Sequence, residues 1–127
     1  FLPSPFKLSP QSVRMGIRLD GPRIRRTAAG EMFSTGVAPG TIQVPPNGLP
    51  IVLMADSQPT GGYPRIAQVA AVDLPALAQA RPGDALAFAL IGLEEAERLL
   101  EERERALALL RAGAYAYWRR RVRVAGD

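Results

Sequence analysis

Residues 55–64, Ala-Asp-Ser-Gln-Pro-Thr-Gly-Gly-Tyr-Pro, gather a carboxylate, a hydroxyl, two adjacent glycines and a phenol directly behind the apolar run Ile51–Ala55. Glycines open backbone conformations closed to other residues and let a ligand approach the main chain. Consecutive amide N–H groups such as those of Gly61 and Gly62 can form a small concavity for an anion or a carbonyl oxygen. Asp56 leaves the apolar run where the chain turns, Thr60 offers a hydroxyl, and Tyr63 adds a stacking face with a phenol. On spacing alone this is either a binding loop or a plain turn. A phosphate-binding P-loop is excluded, because no Gly-Lys-Ser/Thr follows.

The chain has no cysteine and no histidine. Disulfides, thiolate nucleophiles, Cys/His zinc sites and an imidazole base are therefore ruled out within it. Any catalysis falls to carboxylates, tyrosines, Lys7, arginines and main-chain amides, and no metal site is expected. The net charge is +4, and fifteen of the sixteen basic residues are arginine, many interleaved with glutamate. That pattern carries little functional weight. Nearly half of the 127 residues are apolar, which suits one globular domain with a real core. No run of about 18 uninterrupted apolar residues occurs, and Phe1–Pro5 lacks the basic-then-apolar order of a secretory signal. A cytoplasmic protein is the expectation.

These residues need elements to hold them. Residues 1–12 are punctuated by proline and serine and read as an extended segment or loop. Met15–Leu19 alternates as a short strand and stops at the turn Asp20-Gly21-Pro22. Thr41–Val44 is β-prone and ends at the turn Pro45-Pro46-Asn47-Gly48. Ile51–Ala55 is apolar on both faces, so burial is expected, and its spacing from Thr41–Val44 suits a hairpin. Arg65–Val72 reads as an apolar strand. Asp73 is placed to cap a helix over Leu74–Ala80 with Pro75 in its first turn, and Ala85–Leu90 is a last strand. Short strands between Gly/Pro turns, without βαβ alternation, predict an antiparallel sheet or barrel.

From Leu93 to about Ala112 the composition shifts to Leu, Ala, Glu and Arg without Gly or Pro. Leu93, Ala96, Leu100, Leu107, Leu110 and Ala114 fall on one helical face. Glu94 with Arg98 and Glu101 with Arg105 are spaced as i,i+4 pairs. The domain reading is thus a β domain over 1–92 and an amphipathic helix with a basic-aromatic tail over 93–127. In that tail, Tyr115-Ala116-Tyr117-Trp118 precedes Arg119-Arg120-Arg121-Val122-Arg123. Such a mix suits either an RNA or membrane-surface contact or, as the commoner pattern, cations favouring a helix C-terminus with aromatics over adjacent core. No nucleic-acid or membrane partner is expected.

Four segments taken together are more specific: Ser9–Pro22 (SPQSVRMGIRLDGP), Ser34–Asp56 (STGVAPGTIQVPPNGLPIVLMAD), Thr60–Val69 (TGGYPRIAQV) and Asp73–Asp84 (DLPALAQARPGD). In this order they resemble the allophanate hydrolase subunit 2 family. That family includes the C subunit of bacterial 5-oxoprolinase, the KipA-type proteins and part of the carboxyltransferase domain of urea carboxylase. The resemblance implies a mainly β fold, a cyclophilin-like antiparallel β-barrel with a short helix and the long C-terminal helix, and a whole chain about twice this length, of which this is the C-terminal half. It implies work in a complex with a KipI-like (PxpB-like) subunit and a PxpA-like subunit, on a small amide substrate. ATP would enter at the level of the complex, and biotin in a carboxyltransferase variant. The alternative within the family is a KipA-type regulatory protein that antagonises a kinase inhibitor.

In the enzyme reading Asp56 is the catalytic residue, orienting or deprotonating an amide. A carboxylate in water is a weak base, so that role requires burial. Arg14, Gln43, Thr60, Gly61, Gly62 and Tyr63 are the substrate-binding candidates. Arg14 either receives a carboxylate through two parallel hydrogen bonds or is a surface arginine at a strand edge. Gln43 either meets a ligand amide or is satisfied by barrel backbone. Asp20 reads as a turn residue, and Gly40 and Gly48 as structural. Ser57 stands where family members commonly carry Arg or Lys, and Pro59 where they carry Thr.

Overall fold

The computed structural model describes residues 2, 4–25 and 33–121, and of 120 and 121 only the backbone. Val122 and Arg123 of the basic tail lie outside the described residues. The chain divides into two compact units, Phe1–Leu90 and Ile91–Asp127.

The first unit is an antiparallel sheet with one helix. Its strands are β1 (Phe6–Leu8), β2 (Gly16–Asp20), β3 (Thr35–Gly36), β4 (Thr41–Gln43), β5 (Ile51–Leu53), β6 (Thr60–Gly61), β7 (Arg65–Gln68) and β8 (Ala85–Leu86), with α1 (Leu74–Gln79) between the last two. Six strands form one sheet in the order β7-β4-β5-β2-β1-β8, and β3 pairs with β6 in a separate ribbon. The expected hairpin is present: Ile42 lies opposite Val52 and Gln43 opposite Ile51.

Side chains alternate between the faces of a strand, and the register turns that alternation into a core. Ile17 is opposite Val52, Val52 opposite Ile42, and Leu8 opposite Leu19. With Phe6, Met54 and Leu77 of α1, these residues form one buried cluster. Phe88 closes its edge, its ring edge-on to Phe6 at 6.4 Å.

Several expectations need correction. The sheet is not closed into a barrel: β7 and β8 lie at its opposite edges and do not pair. Closure needs strands long enough to tilt and stagger round an axis, and these run two to five residues. The segment over residues 1–12, read as extended or loop, contains β1, a strand within the six-stranded order whose Phe6 and Leu8 are core. Three residues are too few for alternation to show. Ile51–Ala55 is not buried on both faces; Val52 is buried while Ile51 and Leu53 are half-buried. Arg65–Val72 pairs only as far as Gln68 and is exposed, as an edge strand is. Asp73 occupies the N-cap position of α1 but makes no side-chain cap, because its backbone is already helical (φ −93°, ψ −14°). Its carbonyl instead accepts from the Leu77 amide at 3.0 Å.

The second unit is α2 (Leu93–Arg121), longer than expected and continuous through Gly113. Arg105 pairs with Glu101 as the spacing predicts. Arg98 pairs with Glu95 and Glu102 rather than Glu94. At the aromatic stretch the Arg119 guanidinium lies over the Tyr115 ring, 5.4 Å from its centre. Leu93, Leu109, Leu110 and Trp118 are exposed. No helix among the described residues is long and apolar enough to cross a membrane.

Leu19 is fully buried at the centre of the cluster. Leu19→Ala is expected to destabilise the protein by about 2–5 kcal/mol in urea unfolding, while Leu109→Ala on the exposed helix changes stability by less than about 0.5 kcal/mol. Equal effects at the two positions would contradict this core.

Candidate functional site

The face of the sheet opposite the core is the floor of a cleft. Gly16 and Arg18 of β2, Ile51 and Leu53 of β5, and Gln43 of β4 line it, with Val13 and Met15 at one end. Register puts them there: Gly16 faces Leu53, Arg18 faces Ile51, and Ile51 faces Gln43. The wall is Ser57–Gln58 and Thr60–Tyr63, and the volume is about 300 Å³.

That wall shows what the 55–64 stretch does. It is not a hairpin turn, because Thr60–Gly61 is a strand that pairs with Thr35–Gly36 far upstream. The Val37 amide donates to the Pro59 carbonyl at 2.9 Å, and the Arg65 guanidinium donates to the Gly36 carbonyl at 3.1 Å. The ribbon is thereby tied to the edge strand β7. Positive φ is found at Gly40, Gly48 and Gly83, but not at Gly61 or Gly62. Gly61 is needed for space: a Cβ there would overlap Gln43 Nε2 and sit 3.2 Å from its Cδ.

Two glutamines on neighbouring strands have opposite fates. Gln68 is bonded at both ends: its Nε2 donates to the Pro39 carbonyl at 2.8 Å, and its Oε1 accepts from the Thr41 hydroxyl at 3.0 Å. That hydroxyl in turn accepts from the Ala38 amide. Gln43 is only 4% exposed, yet its Nε2 has no hydrogen-bond partner among the described residues. An unsatisfied buried donor costs about 1–3 kcal/mol. The β4–β7 register shifts between Ile42 and Gln43, so that Gln43 faces Arg65. Such irregularities re-aim side chains next to functional sites. Of the two alternatives for Gln43, satisfaction by backbone does not hold for its amide nitrogen among the described residues.

Arg14 and Asp56 do not line this cleft; they meet each other. Arg14 Nε lies 2.9 Å from Asp56 Oδ2, with side chains 90% and 48% exposed. The contact follows from topology. Arg14 is in the turn closed by the Val13–Gly16 hydrogen bonds before β2, and Asp56 is in the turn closed by the Ser57 amide on the Met54 carbonyl after β5. Antiparallel pairing of β2 with β5 brings the turns together. An exposed pair of this kind contributes about 0–1 kcal/mol and is easily opened. The burial that a base at Asp56 requires is not present.

Thr60, Gly61, Gly62, Tyr63 and Gln43 thus share one cleft, and Arg14 and Asp56 share its end of the sheet without entering it. Sequence reasoning missed Arg18, Ser57 and Gln58. Arg18 was accessible from period two, since it shares its strand face with Gly16. It has no ion-pair partner among the described residues. Among those residues no group of three or more acidic side chains is placed to hold a metal.

Residues 1–90 match the family described as carboxyltransferase domain, subdomain A and B. The chain belongs to that family, and the match ends where the first unit ends. It is 49% identical over 105 residues to the C subunit of 5-oxoprolinase from Escherichia coli, covering 83% of this chain and 34% of that protein. With the corresponding 5-oxoprolinase C subunit of Haemophilus influenzae it is 46% identical over 97 residues, covering 76% and 31%. The chain therefore spans about a third of the length of these relatives, not the half that the resemblance implied. Among solved structures, the Kluyveromyces lactis urea carboxylase superposes with a TM-score of 0.74 at 25% identity, over 80% of this chain and 10% of that one. TTHA0988 superposes with a TM-score of 0.60 at 41% identity, over 68% and 17%.

The ribbon offers an internal control, since a Cβ at Gly36 would meet nothing within 4 Å. Gly61→Ala is expected to displace the Gln43 carboxamide at a cost of about 1 kcal/mol, and Gly36→Ala to be neutral or slightly stabilising. Equal losses in denaturant melts would show that Gly61 is not set by its approach to Gln43.

Proposed function

We propose that the chain is part of the C subunit of a 5-oxoprolinase-type complex and supplies a cleft for a small amide. The observation that carries this reading is 49% identity to a 5-oxoprolinase C subunit, together with a cleft whose floor holds a carboxamide and a guanidinium over apolar side chains. 5-Oxoproline is a five-membered lactam bearing a carboxylate. Its ring suits Ile51 and Leu53, and its carboxylate suits Arg18, which pairs with such groups through parallel hydrogen bonds. The Thr60 hydroxyl, the Tyr63 phenol and the main chain at Gly61 and Gly62 are placed to hold the remaining polar atoms. Oxygen-directed donors of this type commonly supply the largest catalytic contribution. Asp56 is exposed beside Arg14 and outside the cleft lining in this chain, so in this reading it acts on the amide N–H only once the rest of the subunit or a partner subunit covers it and draws Arg14 away.

KipI-like and PxpA-like subunits would complete the complex. In this reading ATP is not held by this cleft, since Arg18 is the one cation in its lining among the described residues and the sequence has no P-loop. Nucleotide chemistry would then fall to other parts of the assembly. A carboxyltransferase variant is favoured by one observation, the TM-score of 0.74 with a urea carboxylase. The same floor fits a biotin ureido ring in chemistry, with Gln43, Thr60 and the Gly61–Gly62 main chain toward its oxygen. Biotin would supply the transferable carboxyl group.

The test is turnover by the full-length protein reconstituted with its partner subunits. ATP-dependent loss of 5-oxoproline is expected. Asp56→Asn should lower kcat by about a hundredfold or more with little change in affinity, and Gly61→Val should abolish activity. Asn47→Ala should be silent, because Asn47 serves the distal turn, its Oδ1 accepting from the Leu49 amide. Carboxyl transfer to urea without loss of 5-oxoproline would favour the biotin variant. Binding without any turnover would favour a KipA-type regulatory role.

A further inference from the structure

We infer that Gln43 is the carbonyl-recognition residue of the cleft, its carboxamide held in reserve beneath Gly61 until a ligand oxygen draws it out. This inference rests on the reading of the cleft as a small-amide site.

Three independent features converge on it. The Gln43 side chain is almost wholly buried and lines the cleft, yet its Nε2 has no partner among the described residues. A buried donor is normally paired, and an unpaired one calls for a reason. Its main chain is anchored on both sides, opposite Ile51 and opposite Arg65, so the backbone cannot move to relieve it. Gly61 lies so near that any side chain there would strike the carboxamide. A glycine opposite the amide leaves it room to turn, whereas Gln68 is fixed by bonds at both ends. The ligand chemistry follows from the missing partner. An N–H donor beside apolar Ile51 and Leu53 selects a neutral carbonyl oxygen, as in a lactam, a urea or a ureido ring, and leaves a carboxylate to Arg18. Discrimination against a ligand lacking that oxygen should be strong, because the donor would stay unpaired.

The experiment compares the wild-type protein with Gln43→Met, which keeps the length of the side chain and removes both polar atoms. Melting temperature is read without ligand. Calorimetric titration then uses 5-oxoproline, 2-pyrrolidinone, which has the lactam carbonyl without the carboxylate, and proline, which has the ring and carboxylate without the carbonyl. Wild-type protein should bind both lactams and not proline. Gln43→Met should melt about 4 °C or more higher, since a buried unpaired donor is gone, and bind both lactams at least about tenfold more weakly.

A variant that melts lower or fails to fold would overturn the inference, because the amide would then be making a bond that the fold needs. Unchanged lactam affinity, or no lactam binding by the wild type, would overturn it too. The two readings fail separately. If 2-pyrrolidinone binds in a Gln43-dependent way and 5-oxoproline does not, the oxoproline reading falls and this one stands. If 5-oxoproline binds regardless of Gln43, the reverse holds.

Discussion

Val52 sits between Ile17 on one side and Ile42 on the other, and that three-strand register positions everything of functional interest in the first unit. With those side chains committed to the core, the alternation of a strand leaves Gly16, Arg18, Ile51, Leu53 and Gln43 no choice but the opposite face. Slipping one strand by a single residue would exchange the faces and bury Arg18. Core and cleft are the two sides of one pairing, so the apolar cluster that stabilises the sheet also specifies the floor of the site.

A second constraint acts from above. The ribbon of Thr35–Gly36 and Thr60–Gly61 joins segments separated by more than twenty residues and brings the chain back over a face that would otherwise be open. It reaches the floor closely enough that a Cβ at position 61 would displace the Gln43 carboxamide. The carboxamide beneath it is held without the partners that Thr41, Ala38 and Pro39 provide around Gln68. Local cost at a single polar group, in a sheet otherwise well paired, is where a binding function is expected to show.

Much of this was legible in the sequence, for reasons that differ by residue. The β4–β5 hairpin announced itself through its proline and glycine turn, and α2 through its heptad-like leucines. The loop at Asp56–Tyr63 stood out by residue type, and the family through four motifs spread along the chain. What could not be read was pairing between distant segments. Nothing local in Phe6–Leu8 marks a strand inside a six-stranded sheet, and nothing in Thr60–Gly61 marks a partner at Thr35. The Arg14–Asp56 ion pair has the same origin, since two turns some forty residues apart meet only because β2 and β5 are antiparallel. The strand pattern left an antiparallel sheet or a barrel open and kinship pointed to the barrel, but the strands are short and the sheet stays open.

The central claim is that Gln43 carries an unpaired donor at the floor of a small-amide cleft. The most direct measurement is the side-chain ¹⁵N–¹H spectrum of the full-length protein, with the Gln43 carboxamide pair assigned by its disappearance in Gln43→Met. Without ligand this pair should exchange slowly with water, as a buried group does, and on saturation with 2-pyrrolidinone or 5-oxoproline one of its protons should move downfield as the bond to the carbonyl forms. A Gln43 pair that exchanges as fast as an exposed glutamine and is unmoved by either lactam would contradict it.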